Sequence, residues 1–166
     1  HGQRFTDETL SYDTFHKELN RYDPVADEYP NVPAYCIIDE ATKTTLPMGY
    51  GPGWSTDNNA EIKKGWIVKA DTLGELATKI GMNPETLEAT VKQYNECCAA
   101  GKDPDFGRTA LIPLGAGPYY AMEGYPGTTS TWGGPKINTK AQIVDTYERV
   151  IPRLYAAGVA SCGVLG

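Results

Sequence analysis

Apolar and polar residues alternate in two regimes along this chain, and the switch between them lays out the predicted elements. A four-residue spacing first appears at Phe15 and Leu19, within DTFHKELNRY, and predicts a short helix over 13–22 capped by Asp13 or Thr14. PAYCIID at 33–39 carries β-favouring residues between a proline entry and an acidic exit, and predicts a strand. No period is sustained over 41–64, which reads as loop. Residues 66–68 predict a strand. Leu73, Leu76 and Ile80 then share one face of a helix, with Asp71 or Thr72 as cap, Glu75 completing a capping box and Gly81 ending it. Asn83 caps the next helix, and Pro84 takes its first position, where a missing N–H costs nothing. Leu87, Val91, Tyr94 and Cys98 recur along it as a buried stripe, and Gly101 ends it. Residues 119–122 predict a strand that leads into a Gly-rich bend, a second strand, a short connection and a third apolar strand running into glycines. Strand pieces thus flank a helical pair, and the predicted fold class is α+β.

Composition narrows what such a chain does. With 166 residues, 40% of them apolar, it can hold one domain with a core, or a domain plus a fragment. A formal charge of -6 with no Lys/Arg cluster excludes a nucleic-acid partner. No apolar run approaches the ~18 residues of a membrane span. Four cysteines lack metal spacing and the two histidines are too few for a His-based site, so no metal is expected and the thiols read as structural. MGYGPGW at 48–54 holds three glycines and a proline but no following Gly-Lys-Ser/Thr, and reads as a loop with Tyr50 and Trp54 as packing or substrate contacts. Arg4 and Glu8 read as a surface ion pair. DPDFGR at 103–108 reads as a turn held by Asx hydrogen bonds and an ion pair, with Asp105 and Arg108 as alternative site residues. A Gly-rich turn after an apolar strand brings backbone close to a ligand, and the sequence stops inside one. The expectation is one portion of a larger protein.

Six stretches in order carry a resemblance: GQRFTDE, KADTLGELATKIGMNPETLEATVKQYN, DPDFGR, GPYYAM, TWGGPKINTKAQIV and IPRLYAAGVASCGVLG. Together they resemble the FAD-dependent fumarate reductases, succinate dehydrogenase flavoproteins and 3-ketosteroid dehydrogenases. The resemblance implies a two-domain flavoprotein. Residues 1–122 would be its cap, or substrate-binding, domain, and 123–166 an incomplete return into the FAD-binding domain. It implies FAD in the whole protein, a small-molecule substrate and a redox donor or acceptor. The isolated stretch, without the missing FAD-binding domain, is expected neither to bind FAD nor to be active. Fumarate reductases carry a proton-donating Arg where Tyr12 stands, and a His where Ser130 stands. Neither residue here is the cation a dicarboxylate needs. A tyrosine at the place of Tyr12 is similar to ketosteroid dehydrogenases, where it removes a proton as flavin takes the hydride, and a phenol needs a neighbour to do so. The alternative for Tyr12 is a packed tyrosine of the cap. The resemblance further implies substrate contacts at Ser130 and Thr131, and cofactor contacts at Gly133, Gly134, Gly158 and Val159, where relatives carry Glu in place of Val159. The expected activity is dehydrogenation or reduction of a C–C bond next to a carbonyl, ketosteroid-like. The alternatives are a fumarate reductase-like flavoprotein acting on an unsaturated acid or enone, and a non-catalytic α+β binding module.

Overall fold

The computed structural model describes residues 2–49, 52–127 and 133–161. Two units divide the chain, His1–Pro126 and Gly127–Gly166. The first is built from helix α1 (Tyr12–Leu19), strand β1 (Ala34–Asp39), helices α2 (Glu40–Thr45) and α3 (Asn59–Lys63), strand β2 (Ile67–Ala70), helices α4 (Leu73–Lys79) and α5 (Pro84–Ala100), and strand β3 (Tyr119–Gly124). The second holds a two-stranded antiparallel ribbon, β4 (Gln142–Val144) with β5 (Val150–Tyr155), and a 3₁₀ turn at Gly158–Ala160.

β3 is the centre of the first unit. It pairs antiparallel with β1 on one side and β2 on the other, in the order β1-β3-β2. The register aligns Ile37, Ala121 and Val68 across the sheet, and Ile38, Tyr120 and Lys69 one step along. Because successive side chains point to opposite faces, these two rows feed two separate cores. On one face Ala70, Ala121 and Leu76 are buried, with Ile37, Val68, Ile80 and Tyr119 against them. On the other, Met48, Ile67 and Tyr120 are buried, with Ile38, Trp54, Ile62 and Met122 around them. Both faces being covered explains why β3 reads as a continuous apolar run.

The helical pair follows its caps. The Thr72 hydroxyl accepts the Glu75 N–H at 3.1 Å, and the Glu75 carboxylate reaches back to accept the Asp71 N–H, also at 3.1 Å. Asn83 Oδ1 accepts the Thr86 N–H at 2.8 Å, Pro84 occupies the first turn, and Gly101 closes α5 in the left-handed region at φ +66. Replacing Asn83 with Ala should cost about 1 kcal/mol, read as faster amide exchange in the first turn of α5 with the last turn unchanged.

Local differences from the sequence reading have local causes. Residues 41–64 are not all loop. Asp39 Oδ1 accepts the Thr42 N–H at 2.7 Å and starts α2, and Asn58, at φ +60, starts α3; each is too short to display a helical period. The cap of α1 is Ser11 rather than Asp13 or Thr14, and the Ser11 hydroxyl donates to Asp13 at 2.6 Å. β2 begins at Ile67, leaving Trp66 half-exposed and edge-on to Trp54 at 5.9 Å. On α5 the buried positions are Leu87, Tyr94 and Cys97, while Val91 and Cys98 are only partly buried, and the last turns of the helix face Asp103 and Arg4.

Candidate functional site

Two places collect chemistry, one in each unit. In the first, the chain enters along α5: the Thr90 hydroxyl donates to the Gly2 carbonyl at 2.8 Å. Arg4 lies between the rings of Tyr94 and Phe106, with its guanidinium carbon 4.8 and 4.9 Å from their centroids. It forks onto Glu8 at 2.7 and 2.9 Å and reaches Asp103 at 2.9 Å. Arg108 closes the set, donating to the second Glu8 oxygen at 2.8 Å. The pair read as a surface contact is therefore part of a network of four charges, with Arg4 15% exposed and the Asp103 side chain 0%. Two cations and two carboxylates balance, and aromatic faces displace water from the guanidinium.

The electrostatics follow. Burial acts to lower the Arg4 pKa, but hydrogen bonds to Glu8 and Asp103 outweigh it and the net shift is upward. Burial raises the Glu8 carboxyl, yet bonds from Arg4 and Arg108 leave it below the ordinary glutamate value. The Arg4 hydrogen bond holds the Asp103 carboxyl low, against burial. Asp103 also accepts the N–H of Asp105 at 3.1 Å and of Phe106 at 3.4 Å, making the Asx turn expected for DPDFGR. Cys97, Asp103 and Asp105 bring one ligand atom each within 4.8 Å of one another. A cation there would have to displace Arg4 from Asp103 and Gln93 from Asp105, and burial raises the Cys97 thiol. The cluster is a hydrogen-bond hub.

Past Glu8 the chain turns sharply: Asp7 Oδ1 accepts the N–H and hydroxyl of Thr9 at 2.8 and 2.7 Å, and Leu10 N–H donates to the Asp7 carbonyl at 3.3 Å. Ser11 then opens α1, and Tyr12 is its first residue. Tyr12 is 86% exposed, so it is not a packed tyrosine of its own unit. Phe15 turns instead toward Phe5 at 6.1 Å, and Leu19 is buried.

On the far face of the sheet two buried polar residues went unnoticed in the sequence. Asn58 exchanges both amide bonds with the Met48 backbone at 2.8 Å, and Glu61 accepts Ser55 N–H at 3.0 Å and its hydroxyl at 2.5 Å. The Ser55 hydroxyl holds the Glu61 carboxyl low despite burial. Together they pin both ends of the glycine-rich loop, and Trp54 packs into the core; Tyr50 falls outside the described residues. The sole sequence signal was an Asn pair followed by Glu in a segment without apolar period.

In the second unit, Ser130 and Thr131 lie outside the described residues. Gly134 packs flat on the 3₁₀ turn: a Cβ there would fall 2.0 Å from the Ala160 carbonyl oxygen. Gly133 and Gly158 instead have nothing within 4 Å of where a Cβ would stand, and Gly158 sits at φ +67. Val159 follows it, 41% exposed.

The model of the FAD binding domain matches residues 1–166. This chain belongs to the FAD binding domain family. Among curated relatives of that family, the NADH:acrylate oxidoreductase of Vibrio harveyi is 45% identical over 133 residues, covering 78% of this chain and 13% of its own length. The 4-oxocyclohex-2-ene-1-carboxylate 5-dehydrogenase of Sinomonas cyclohexanicum is 32% identical over 183 residues, covering 100% of this chain and 30% of its own. The open conformation of a flavocytochrome c3 fumarate reductase superposes with a TM-score of 0.73 at 30% identity, over 99% of this chain and 27% of that one. The 3-ketosteroid Δ1-dehydrogenase of Sterolibacterium denitrificans does so at 0.68 and 29%, over 99% and 32%. The chain thus spans less than a third of each of these proteins.

Gly133 and Gly158 offer bare backbone with open space above it, which a flat ring or a phosphate chain can approach closely. Gly134 serves differently, by letting the 158–161 turn lie against it. Gly134→Ala should push that turn away and weaken FAD retention by the whole protein at least tenfold, read as flavin in the ultrafiltrate. Gly127→Ala, where a Cβ meets nothing within 4 Å, should leave retention unchanged. No described helix is long and apolar enough to cross a membrane.

Proposed function

We propose that this chain supplies the cap, residues 1–122, and the start of the return toward the FAD domain, from 123 onward, of an oxidoreductase. Its reaction dehydrogenates or reduces a C–C bond next to a carbonyl, in the manner of a 3-ketosteroid dehydrogenase. The observation that carries this reading is Tyr12, a phenol exposed at the first turn of α1, where the resemblance to fumarate reductases implies a cation. An activated carbonyl asks for a proton acceptor at the neighbouring carbon and no cationic clamp, whereas a dicarboxylate asks for both. A relative named for dehydrogenating a cyclic oxo acid matches the full chain and supports a ketone substrate.

When bound, FAD supplies hydride exchange with carbon. As the phenolate, which a neighbouring group has to stabilise, the Tyr12 oxygen would take the proton from the carbon of that bond next to the carbonyl as the hydride leaves the other carbon, and the hydroxyl would return it in the reducing direction. Thr131 and Ser130 would face the substrate, and Gly133, Gly134, Gly158 and Val159 would form one wall for the flavin. A redox donor or acceptor completes the cycle.

A second reading is a reductase of an unsaturated acid, favoured by the 45% identity to an acrylate oxidoreductase. One anaerobic experiment separates the two. The oxidised whole protein is mixed with 4-oxocyclohexanecarboxylate or a 3-ketosteroid saturated at the bond next to its carbonyl, and the reduced protein with fumarate or acrylate. Bleaching of flavin by a ketone supports the first reading. Reoxidation by the acids alone supports the second, and a whole protein without flavin sinks both.

A further inference from the structure

The Tyr12 hydroxyl accepts and donates no hydrogen bond that the described residues record, and its ring is 86% exposed. Its position is therefore set by backbone. On the C-terminal side that backbone is α1, held by Leu19 and by the contact of Phe15 with Phe5. On the N-terminal side the last side chain bonded to a distant part of the unit is Glu8, four residues before Tyr12, and the tight turn Asp7–Leu10 around it leads on to α1. Glu8 is fixed by direction as well as by contact. Arg4 grips both of its oxygens, and Arg108, 100 residues away in sequence, grips one of them again. A fork of guanidinium N–H groups on a carboxylate sets register and angle together, which an apolar contact of the same size does not. Arg4 in turn is fixed to Asp103, the side chain that organises the turn from which Arg108 projects.

We propose that this four-charge network is a clasp that sets the position of the Tyr12 hydroxyl, with Glu8 and Arg108 as positioning residues for its proton transfer. The inference rests on the reading of Tyr12 as the group that exchanges a proton with substrate. It gives these charges a role that stability alone does not require, since packed apolar residues would hold the segment as firmly. A displacement of the hydroxyl on the order of 1 Å is enough to lower a rate by about 10²-fold.

The test is a double-mutant cycle on the flavin-loaded whole protein, with the ketone or acid probe that it turns over. Glu8→Gln keeps the shape and removes the charge. It is expected to lower kcat about tenfold or more, with KM and flavin content little changed. In a Tyr12→Phe background the same substitution is expected to add no further loss, because the group it positions is gone. Glu75→Gln, in the exposed Glu75–Lys79 pair of α4, serves as the control and should match wild type in both backgrounds. If Glu8→Gln is silent, or multiplies the Tyr12→Phe loss in full, the clasp is not acting through Tyr12 and the proposal falls. If Tyr12→Phe itself has wild-type activity, the reading of Tyr12 falls and the clasp with it, a result separate from the other two. Should Glu8→Gln yield no flavin-loaded protein, Arg108→Gln leaves the Arg4–Asp103 pair intact and gives the same readings.

Discussion

Tyr12→Phe is expected to slow turnover of the whole protein by roughly 10²–10⁴-fold, the usual worth of a positioned acid or base. The substitution removes one oxygen from a side chain that is 86% exposed, so folding should be unaffected. Substrate binding and flavin content should also stay near wild type, because the ring remains. The loss should therefore fall on kcat and on kcat/KM alike, as it does when an interaction made in the transition state is removed. Single-turnover flavin bleaching is the measurement, and a rate within twofold of wild type would remove Tyr12 from the reaction.

Asp103→Ala should be the most destabilising single change in the charge network, by about 3–5 kcal/mol, because it leaves Arg4 buried with one partner fewer. It also strips the acceptor from two backbone N–H groups of the 103–108 turn. Urea unfolding followed by amide exchange on α5 would report it, and a loss below about 1 kcal/mol would mean that Glu8 alone satisfies Arg4. The same network predicts the acid limb of stability. Asp103 and Glu8 both titrate lower when folded than when unfolded. Their contribution is complete above the unfolded values of about 4 and disappears as pH falls through the folded ones. The Asp103→Ala variant should show a shallower loss of stability over that window than wild type.

How much of this was legible in advance depended on the range of each interaction. The cap at Asn83, the ends at Gly81 and Gly101, and the strands around Ile37 and Tyr120 were read correctly, and of the two caps offered for α4 the structure uses Thr72, since each is signalled by neighbours within about four residues. Helices α2 and α3 were missed because five or six residues carry no helical period, and the Cys97 face of α5 was misassigned by one position because Arg4 and Asp103 cover it. DPDFGR was read as a turn with an ion pair, and it is one, although the residue at its centre is Asp103 rather than Asp105. Arg4 and Glu8 were read as an ion pair at the surface, where Glu8 does stand, but nothing near them in sequence said that Arg4 would also reach the buried Asp103.

The sequence alone thus determined the caps, the strand at β3, the glycines that end the helices and the family to which the chain belongs. Only the tertiary structure decided that Arg4, over two aromatic rings, would meet Asp103 from 99 residues away, that Asn58 and Glu61 would be buried, and that Tyr12 would stand exposed at the start of α1. Caps and periodicity are fixed by the geometry of a single turn or strand. Burial and charge pairing depend on which distant surface arrives opposite, and that is set when the whole chain has packed.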